Sequence, residues 1–179
     1  MLNIFYECTG LTSITIPNSV IGIGVEAFIF CRGLTSITFP NSVTYITESA
    51  FYGCTGLTSI TIPNSVTRIQ DHVFAGCKSL TSVISEIEIP FAFEEDAFDG
   101  ISDDCILYVP MGTRDAYISQ GWTEEVFKGG IVEMDPNDIK MAKQDGNTFV
   151  IDSYDLQGRK FNASQHGVQI LRMSDGAVK

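Results

Sequence analysis

Apolar and polar residues follow one another in short, regular stretches along the first part of the chain. In residues 11–16 (LTSITI) the last four side chains alternate between polar and apolar, and a period of two indicates a half-buried strand. Residues 17–19 (PNS) predict a turn, because proline cannot continue a strand ladder and Asn and Ser favour turns. A second inward-facing side follows at 20–23, and residues 27–28 predict a short helical or 3-10 turn.

This pattern recurs with a period of 23 residues. The blocks 8–30, 31–53 and 54–76 align without gaps and are identical at 13 of 23 positions, and a fourth block opens at Cys77 before the pattern weakens. Because one coil cannot bury its own apolar residues, such repeats stack into a solenoid with a continuous core and about 4.8 Å between strands. We predict that columns of identical side chains form the centre of this core: Leu11, Leu34, Leu57 and Leu80, and Phe28, Phe51 and Phe74.

These repeat units carry a family resemblance. Residues 34–54 (LTSITFPNSVTYITESAFYGC) and 57–77 (LTSITIPNSVTRIQDHVFAGC) resemble the 23-residue repeats of BspA-type (Treponema pallidum-type) leucine-rich-repeat proteins. Residues 97–133 resemble the usual end of such arrays. The resemblance implies a leucine-rich-repeat solenoid over 1–134, β-rich with short helical or 3-10 turns, and closed by a cap over about 97–134.

The chain begins inside a repeat. Phe5 and Cys8 match Phe28 and Cys31, so we expect the chain to be a piece of a longer repeat array. We expect no signal peptide in this sequence, since Met1 is soon followed by Asn3, Tyr6 and Glu7 and a basic segment followed by an apolar one is not present.

The cap is predicted to hold one strand, one helix and two large aromatic side chains. Residues 97–110 predict a final strand, and residues 113–120 predict a short helix with a threonine N-cap and a glycine at its end. Trp122 and Phe127 are expected to cover the open end of the core, as terminal repeats must. The alternative for Trp122 is a platform for a ligand.

Two further segments follow the solenoid. The polar stretch 135–146 is predicted to be a linker, and in 147–179 glycines separate short predicted strands. Within 147–179, the residues YDLQGRK…HGVQILRMSDG are similar to the small C-terminal β-domains that direct Bacteroidetes proteins through the type IX secretion route. Such domains usually end with one more strand, so we predict a small, incomplete β module that stops a strand short at Lys179.

The net charge of −11 comes from the middle of the chain, where residues 84–146 hold 15 acidic and four basic residues. This balance repels phosphate backbones and argues against nucleic acid as a partner. No stretch reaches the roughly 20 apolar residues that cross a bilayer. We interpret the acidic segment as solvated surface. The alternative is a calcium role for a set of carboxylates whose spacing lacks the mid-loop glycine of an EF-hand: Asp96, Asp99, Asp103 and Asp104.

Neither the cysteines nor the two histidines predict chemistry. Cys8, Cys31, Cys54 and Cys77 recur every 23 residues and therefore share one column. A disulfide between neighbours is possible at that spacing, but ligands in a line cannot converge on zinc. We interpret these residues as buried free thiols that act as small apolar side chains. None of the nucleophile, metalloprotease or phosphate-loop motifs occurs, so we expect no catalysis, no cofactor and no metal.

The repeats differ from one another mainly after the Pro-Asn-Ser-Val turn. Their strands carry a uniform Ser-x-Thr pattern, which superficially resembles an ice-binding face and which we interpret as ordinary solvated surface. Beyond the turn, Tyr45 and Arg68 share a column in neighbouring coils, close enough for stacking or a cation–π contact, and both residue types are enriched in binding hot spots. We hypothesise that a recognition surface lies on this edge; the alternative is plain surface drift. Its candidate residues are Tyr45, Arg68, Glu48, Asp71 and His72.

The family resemblance implies a function in binding. BspA-type proteins are typical of secreted and surface proteins of anaerobic bacteria that bind host or bacterial partners. The resemblance therefore implies a non-catalytic ligand-binding or adhesion module of a secreted or outer-cell-surface protein. Its ligand would be a protein, such as an extracellular-matrix or bacterial surface protein. The alternative is a structural spacer or stalk repeat without a ligand of its own.

Overall fold

Coils of about 23 residues stack into a β-solenoid, which is the predicted fold class. The computed structural model describes residues 5–94 and 96–134, which belong to the compact unit 1–134. The linker predicted over 135–146 and the β module predicted over 147–179 lie outside the described residues.

Two parallel sheets run along the solenoid. The larger sheet contains β2 (Ser36–Thr38), β4 (Ser59–Ile62), β6 (Ser82–Ser85), β7 (Ile106–Pro110) and β8 (Gly130–Met134), and the smaller sheet contains β1 (Gly22–Ile23), β3 (Tyr45–Ile46) and β5 (Arg68–Ile69). The strands of the repeats pair in the repeat register, so that Ile37 lies opposite Ile60. In the first coil the predicted strand 11–16 is reduced to one bridge, between Thr15 and Thr38.

The turn before each new coil is not helical. We predicted a short helical or 3-10 turn at residues 27–28, but these residues lie in hydrogen-bonded turns instead. Glu26 has a φ of 54°, outside the right-handed helical region. The Phe28 N–H donates to the Ala50 carbonyl of the next coil at 2.8 Å. Because this N–H bonds between coils, it is not available to build a helix within one coil.

The two predicted core columns are confirmed. Leu34, Leu57 and Leu80 are fully buried, whereas Leu11 in the first coil is half-buried. The phenylalanine rings stack with centroids 5.0 to 5.4 Å apart, and the stack extends beyond the predicted set at both ends: Phe5, Phe28, Phe51, Phe74 and Phe98. Stacking at this spacing adds about 0.5–1.5 kcal/mol per pair to the stabilisation from burial of the rings.

Threonine hydroxyls link neighbouring coils just before the strands β2, β4 and β6 of the larger sheet. Thr35 donates both its backbone N–H and its hydroxyl to the Thr12 carbonyl, at 3.1 and 3.2 Å. The hydroxyls of Thr58 and Thr81 donate in the same way to the carbonyl 23 residues earlier, at 3.1 and 3.4 Å. The repeated threonine therefore has a structural role, since it supports the stacking of one coil on the next.

The cysteine column forms a second ladder inside the solenoid. The Cys31, Cys54 and Cys77 thiols are buried and free, and each donates to a carbonyl of the preceding coil, at 2.9, 3.0 and 3.3 Å. The acceptors are the carbonyls of phenylalanines 26 residues earlier. Each cysteine thus combines a small apolar volume with a weak donor that a backbone carbonyl can use.

The buried thiols are expected to be almost unreactive in the folded protein at pH 8. Burial raises the pKa of Cys54 and Cys105 to about 12 and that of Cys77 well above its usual value, and the thiolate is the species that reacts. An aromatic disulfide reagent should therefore label at most the half-buried Cys8 in the folded chain, and all five cysteines after denaturation. Rapid labelling of Cys54 in the folded chain, located by mass spectrometry, would contradict this packing.

The cap contains the predicted helix and the two predicted aromatic side chains. The helix α1 (Arg114–Ser119) is followed by Gly121, whose φ of 88° suits a glycine at a helix end. Thr113 occupies the N-cap position, but its hydroxyl donates to the Pro110 carbonyl at 2.7 Å instead of capping the helix. The Glu133 carboxylate takes that role and accepts the Arg114 N–H at 3.0 Å.

Trp122 is a core residue of the cap. Its side chain is fully buried, as is that of Phe127, and its indole N–H donates to the Phe91 carbonyl at 2.7 Å. The Trp122 ring also packs edge-on against Phe93, with centroids 4.9 Å apart. A ring with no exposed face cannot serve as a ligand platform, so that alternative was wrong and the capping prediction is confirmed.

A hydrogen-bonded pair joins the cap to the last repeat coil. Ser85 is fully buried and stands in register with Ile62, in a column that is apolar in the three preceding coils. Its hydroxyl lies 2.6 Å from the Tyr117 hydroxyl, which donates to the Ile87 carbonyl at 2.8 Å. Because the Tyr117 proton is used on Ile87, Ser85 donates to Tyr117. α1 thus supplies the acceptor for the buried serine hydroxyl, whose oxygen also accepts the Ile87 N–H at 3.5 Å.

Candidate binding surface

The strand face of the solenoid is uniform in its first coils and apolar towards the cap. Ser36 and Thr38 are exposed on β2, and Ser59 and Thr61 occupy the same positions on β4. The next residues in the Thr61 column are aliphatic or aromatic: Ile84, Tyr108 and Val132. The Ser-x-Thr pattern therefore covers only a few coils, and this face offers few side chains that distinguish one coil from another.

The five candidate residues lie on another side of the coils, which we call the variable edge: Tyr45, Arg68, Glu48, Asp71 and His72. Tyr45 and Arg68 are direct register partners on β3 and β5. The other three belong to the turns that follow these strands, and all five side chains reach solvent. The structure thus brings the predicted residues together, because positions 23 residues apart stack on adjacent coils.

Tyr45 and Arg68 do not stack on each other. The Arg68 guanidinium forms an ion pair with Glu94 at 3.2 Å, on the side of the following coil. The Tyr45 ring covers Gly22 on the preceding coil, where an added Cβ would clash with it. The stacking or cation–π contact that we considered for this pair is therefore not formed. Arg68 contacts the following coil, Tyr45 contacts the preceding coil, and both side chains stay accessible.

Three ligand-type side chains converge at the end of the variable edge. The Asp71 and Asp96 carboxylates lie on either side of the His72 imidazole, with Asp71 Oδ2 3.3 Å from Nδ1 and Asp96 Oδ2 3.7 Å from Nε2. Asp96 precedes Ala97-Phe98 as His72 precedes Val73-Phe74. One extra residue in the fourth coil makes this spacing 24 rather than 23, and for that reason the repeat alignment did not place Asp96 beside His72.

Asp96 therefore stands apart from the other acidic residues that we grouped with it. Asp103 forms an ion pair with Lys128 at 2.7 Å. Among the described residues, the ligand-type groups that approach closely enough to share a metal ion are Asp71, His72 and Asp96. The calcium alternative for the acidic segment as a set thus finds no support in the positions of these side chains.

A row of aromatic rings, absent from our candidate set, continues the variable edge. The aromatic row consists of Tyr6, Phe30 and Tyr52, which contact one another edge to face, with centroids 6.5 and 5.4 Å apart. Tyr52 then lies 6.4 Å from the His72 ring, and the Arg32 guanidinium lies 5.6 Å from the Phe30 centroid. The two surfaces are therefore continuous.

The sequence contained a signal for the aromatic row. In the aligned repeats, Tyr52 stands where the first and third blocks have Ile29 and Ala75, and Phe30 stands where the later blocks have glycine. The Phe30 ring lies over Gly53, where an added Cβ would be 2.5 Å from Phe30 Cδ1. Aromatic residues that replace glycine or a smaller residue in the repeat alignment were thus a signal that the sequence alone contained.

Comparison with known proteins agrees with this architecture. Residues 2–103 match the family described as BspA type leucine rich repeat region, in six copies. The chain belongs to this family. Among solved structures it is similar to a leucine rich cell surface protein from Faecalibacterium prausnitzii A2-165, with 25% sequence identity and a TM-score of 0.55. The match covers 76% of this chain and 36% of that protein. No curated protein matches the chain.

Family membership supports the predicted repeat architecture. The described residues contain no helix that is long and apolar enough to span a membrane. The similarity of residues 147–179 to C-terminal sorting domains stays a prediction, since the family match ends at residue 103.

Proposed function

We propose that this solenoid is a binding module of a secreted or cell-surface bacterial protein. It uses the variable edge and the adjoining aromatic row to recognise a protein, such as an extracellular-matrix or bacterial surface protein. The similar solved protein is described as a cell surface protein, and this chain spans 36% of its length. We therefore also propose, and do not observe, that the complete parent protein binds a partner of this kind.

The supporting observation is the position of the differences among nearly identical coils. In the first three coils the core columns and the strand face repeat the same residue types, whereas Tyr45, Arg68 and His72 differ from their counterparts and stand on one accessible side. Aromatic residues and arginine are the types that most often dominate protein interfaces. A spacer needs only the repeated core, so it gives no reason for these residues to share one side.

The charges of the variable edge also favour recognition of a protein, because they are mixed and not uniform. The variable edge presents Glu48 and Asp71 near Arg68 and the Tyr45 ring, so that acidic, basic and aromatic groups lie within a few coils. Mixed charges of this kind contribute more to choosing a partner than to raw affinity. Rim charges would thus set specificity, while the aromatic rings would provide buried contact area.

The combined substitution Tyr45→Ala and Arg68→Glu is expected to weaken partner binding at least tenfold. Loss of one interface hot spot typically costs about 2 kcal/mol or more, which exceeds a factor of ten. Binding is measured by surface plasmon resonance against purified extracellular-matrix proteins and bacterial surface proteins, beginning with any that bind the unmodified chain.

A matched control carries Thr38→Ala and Thr61→Ala on the strand face, where the proposal expects unchanged affinity. Thermal unfolding of both variants shows that the fold is retained. Equal affinity of the unmodified chain and the variable-edge variant would refute the proposed surface. A chain that binds no member of the panel while its longer parent does would favour the spacer alternative.

A further inference from the structure

We propose that Asp71, His72 and Asp96 bind a divalent transition-metal ion of the Zn²⁺ class. One imidazole nitrogen and two carboxylate oxygens of these residues lie within 4.8 Å of one another. The site lies at one end of the variable edge and partly shares its residues. Its test measures ion binding alone, so that its failure can be told apart from failure of the protein-binding proposal.

The distances between these atoms are close to those of a metal site. In a tetrahedral zinc site with bonds of about 2.0–2.1 Å, neighbouring ligand atoms are about 3.3 Å apart. His72 Nδ1 lies 3.3 Å from Asp71 Oδ2, and Nε2 lies 3.7 Å from Asp96 Oδ2. These two contacts use different ring nitrogens, whereas an ion would take only one of them. The carboxylate at the other nitrogen would therefore have to turn towards the ion, and the ligand atoms already lie within 4.8 Å of one another.

The backbone of two coils fixes the places of the ligands. The Asp71 carbonyl accepts the Ser49 N–H of the preceding coil at 3.0 Å, and the Ala97 carbonyl accepts the Phe74 N–H at 2.7 Å. The residues that follow His72 and Asp96 are buried core residues. Because this packing already holds the ligand-bearing segments side by side, an ion would cost little ordering of the backbone.

The donor set selects the class of ion. An imidazole nitrogen with two carboxylates suits zinc and related transition metals, whereas calcium and magnesium prefer oxygen ligands alone. The side chains of Asp71, His72 and Asp96 are 44%, 40% and 55% exposed, which leaves room for water to complete the coordination.

The two carboxylates also lie close to each other. The His72 imidazole lies between them and contacts both, but their oxygens are within 4.8 Å of each other, where like charges repel. A divalent cation between them replaces this repulsion by attraction. The equivalent positions in the earlier coils, Glu26 and Ser49, do not provide a histidine with two carboxylates.

Isothermal titration of the full chain with Zn²⁺, after removal of metals by a chelator, tests the site. We expect one ion per chain in the micromolar range, and we expect His72→Asn and Asp96→Asn each to weaken binding at least about tenfold. Asparagine is a suitable replacement for His72, whose φ of 55° it tolerates better than most residues.

The other histidine provides the matched control, since His166→Asn removes the same chemical group elsewhere in the chain. This variant is expected to bind Zn²⁺ as the unmodified chain does, and far-ultraviolet circular dichroism checks the fold of every variant. The proposal is overturned if the unmodified chain binds no Zn²⁺, if both site variants bind it equally well, or if Ca²⁺ binds more tightly than Zn²⁺.

Discussion

The substitution Phe51→Ala is expected to reduce the free energy of unfolding by about 3–5 kcal/mol, the usual cost of removing a buried phenylalanine side chain. Phe51 is fully buried at the centre of the ring stack, between Phe28 and Phe74 with centroids 5.1 and 5.4 Å away, and Phe39 contacts its edge at 5.6 Å. Alanine would leave a cavity that two neighbouring coils share. Urea unfolding followed by circular dichroism measures the loss.

The neighbouring residue gives the matched control for this prediction. Tyr52 is also aromatic but is 36% exposed in the aromatic row, so Tyr52→Ala should cost less than about 1.5 kcal/mol. A similar loss for the two variants would mean that the ring stack does not dominate the stability of these coils.

The substitution Trp122→Ala is expected to open the cap and the last coils, with a loss of about 3–5 kcal/mol. Trp122 is fully buried among Phe93, Phe98, Tyr117 and Phe127, with centroids 4.9 to 6.1 Å away. In a solenoid each coil is stabilised mainly by its neighbours. Hydrogen exchange should therefore rise most in β6, β7 and β8 and least in β2.

The conservative variant Trp122→Phe separates packing from hydrogen bonding. It keeps most of the apolar volume but loses the donor to the Phe91 carbonyl, so we expect a smaller loss, of about 1–3 kcal/mol. Uniform acceleration of hydrogen exchange along the whole solenoid in Trp122→Ala would contradict a local role for the cap.

The sequence was sufficient to predict the coil and its core because the repeat determines the pairing. Once residues 23 apart are known to stack, columns such as Leu34 and Leu57 follow directly, and so does the grouping of Tyr45 with Arg68. The geometry of the turn at residues 27–28 could not be predicted in the same way. The Phe28 N–H bonds to a carbonyl of the next coil, and local residue propensities contain no information about a partner in another coil.

The candidate site was predictable in position but not in its contacts. Which way a long side chain turns depends on neighbours outside its column: Arg68 turns to Glu94, and Tyr45 covers Gly22. The position of Asp96 beside His72 was missed because the fourth coil has one extra residue, which shifts the column. If the buried pair Ala97-Phe98 is aligned with Val73-Phe74, instead of by a fixed period of 23 residues, Asp96 is placed beside His72.

The buried bond between Ser85 and Tyr117 has a consequence for how the array can end. Coils that share most of their residues offer nearly equivalent docking positions to the cap, and such degeneracy favours misassembly. On an earlier coil the Tyr117 hydroxyl would meet Ile16, Phe39 or Ile62, the residues that occupy the Ser85 column there, and would be buried without this partner. The Ser85 hydroxyl thus specifies which coil the cap packs on. It provides a hydrogen-bond partner for Tyr117 on that coil, and the earlier coils lack this partner.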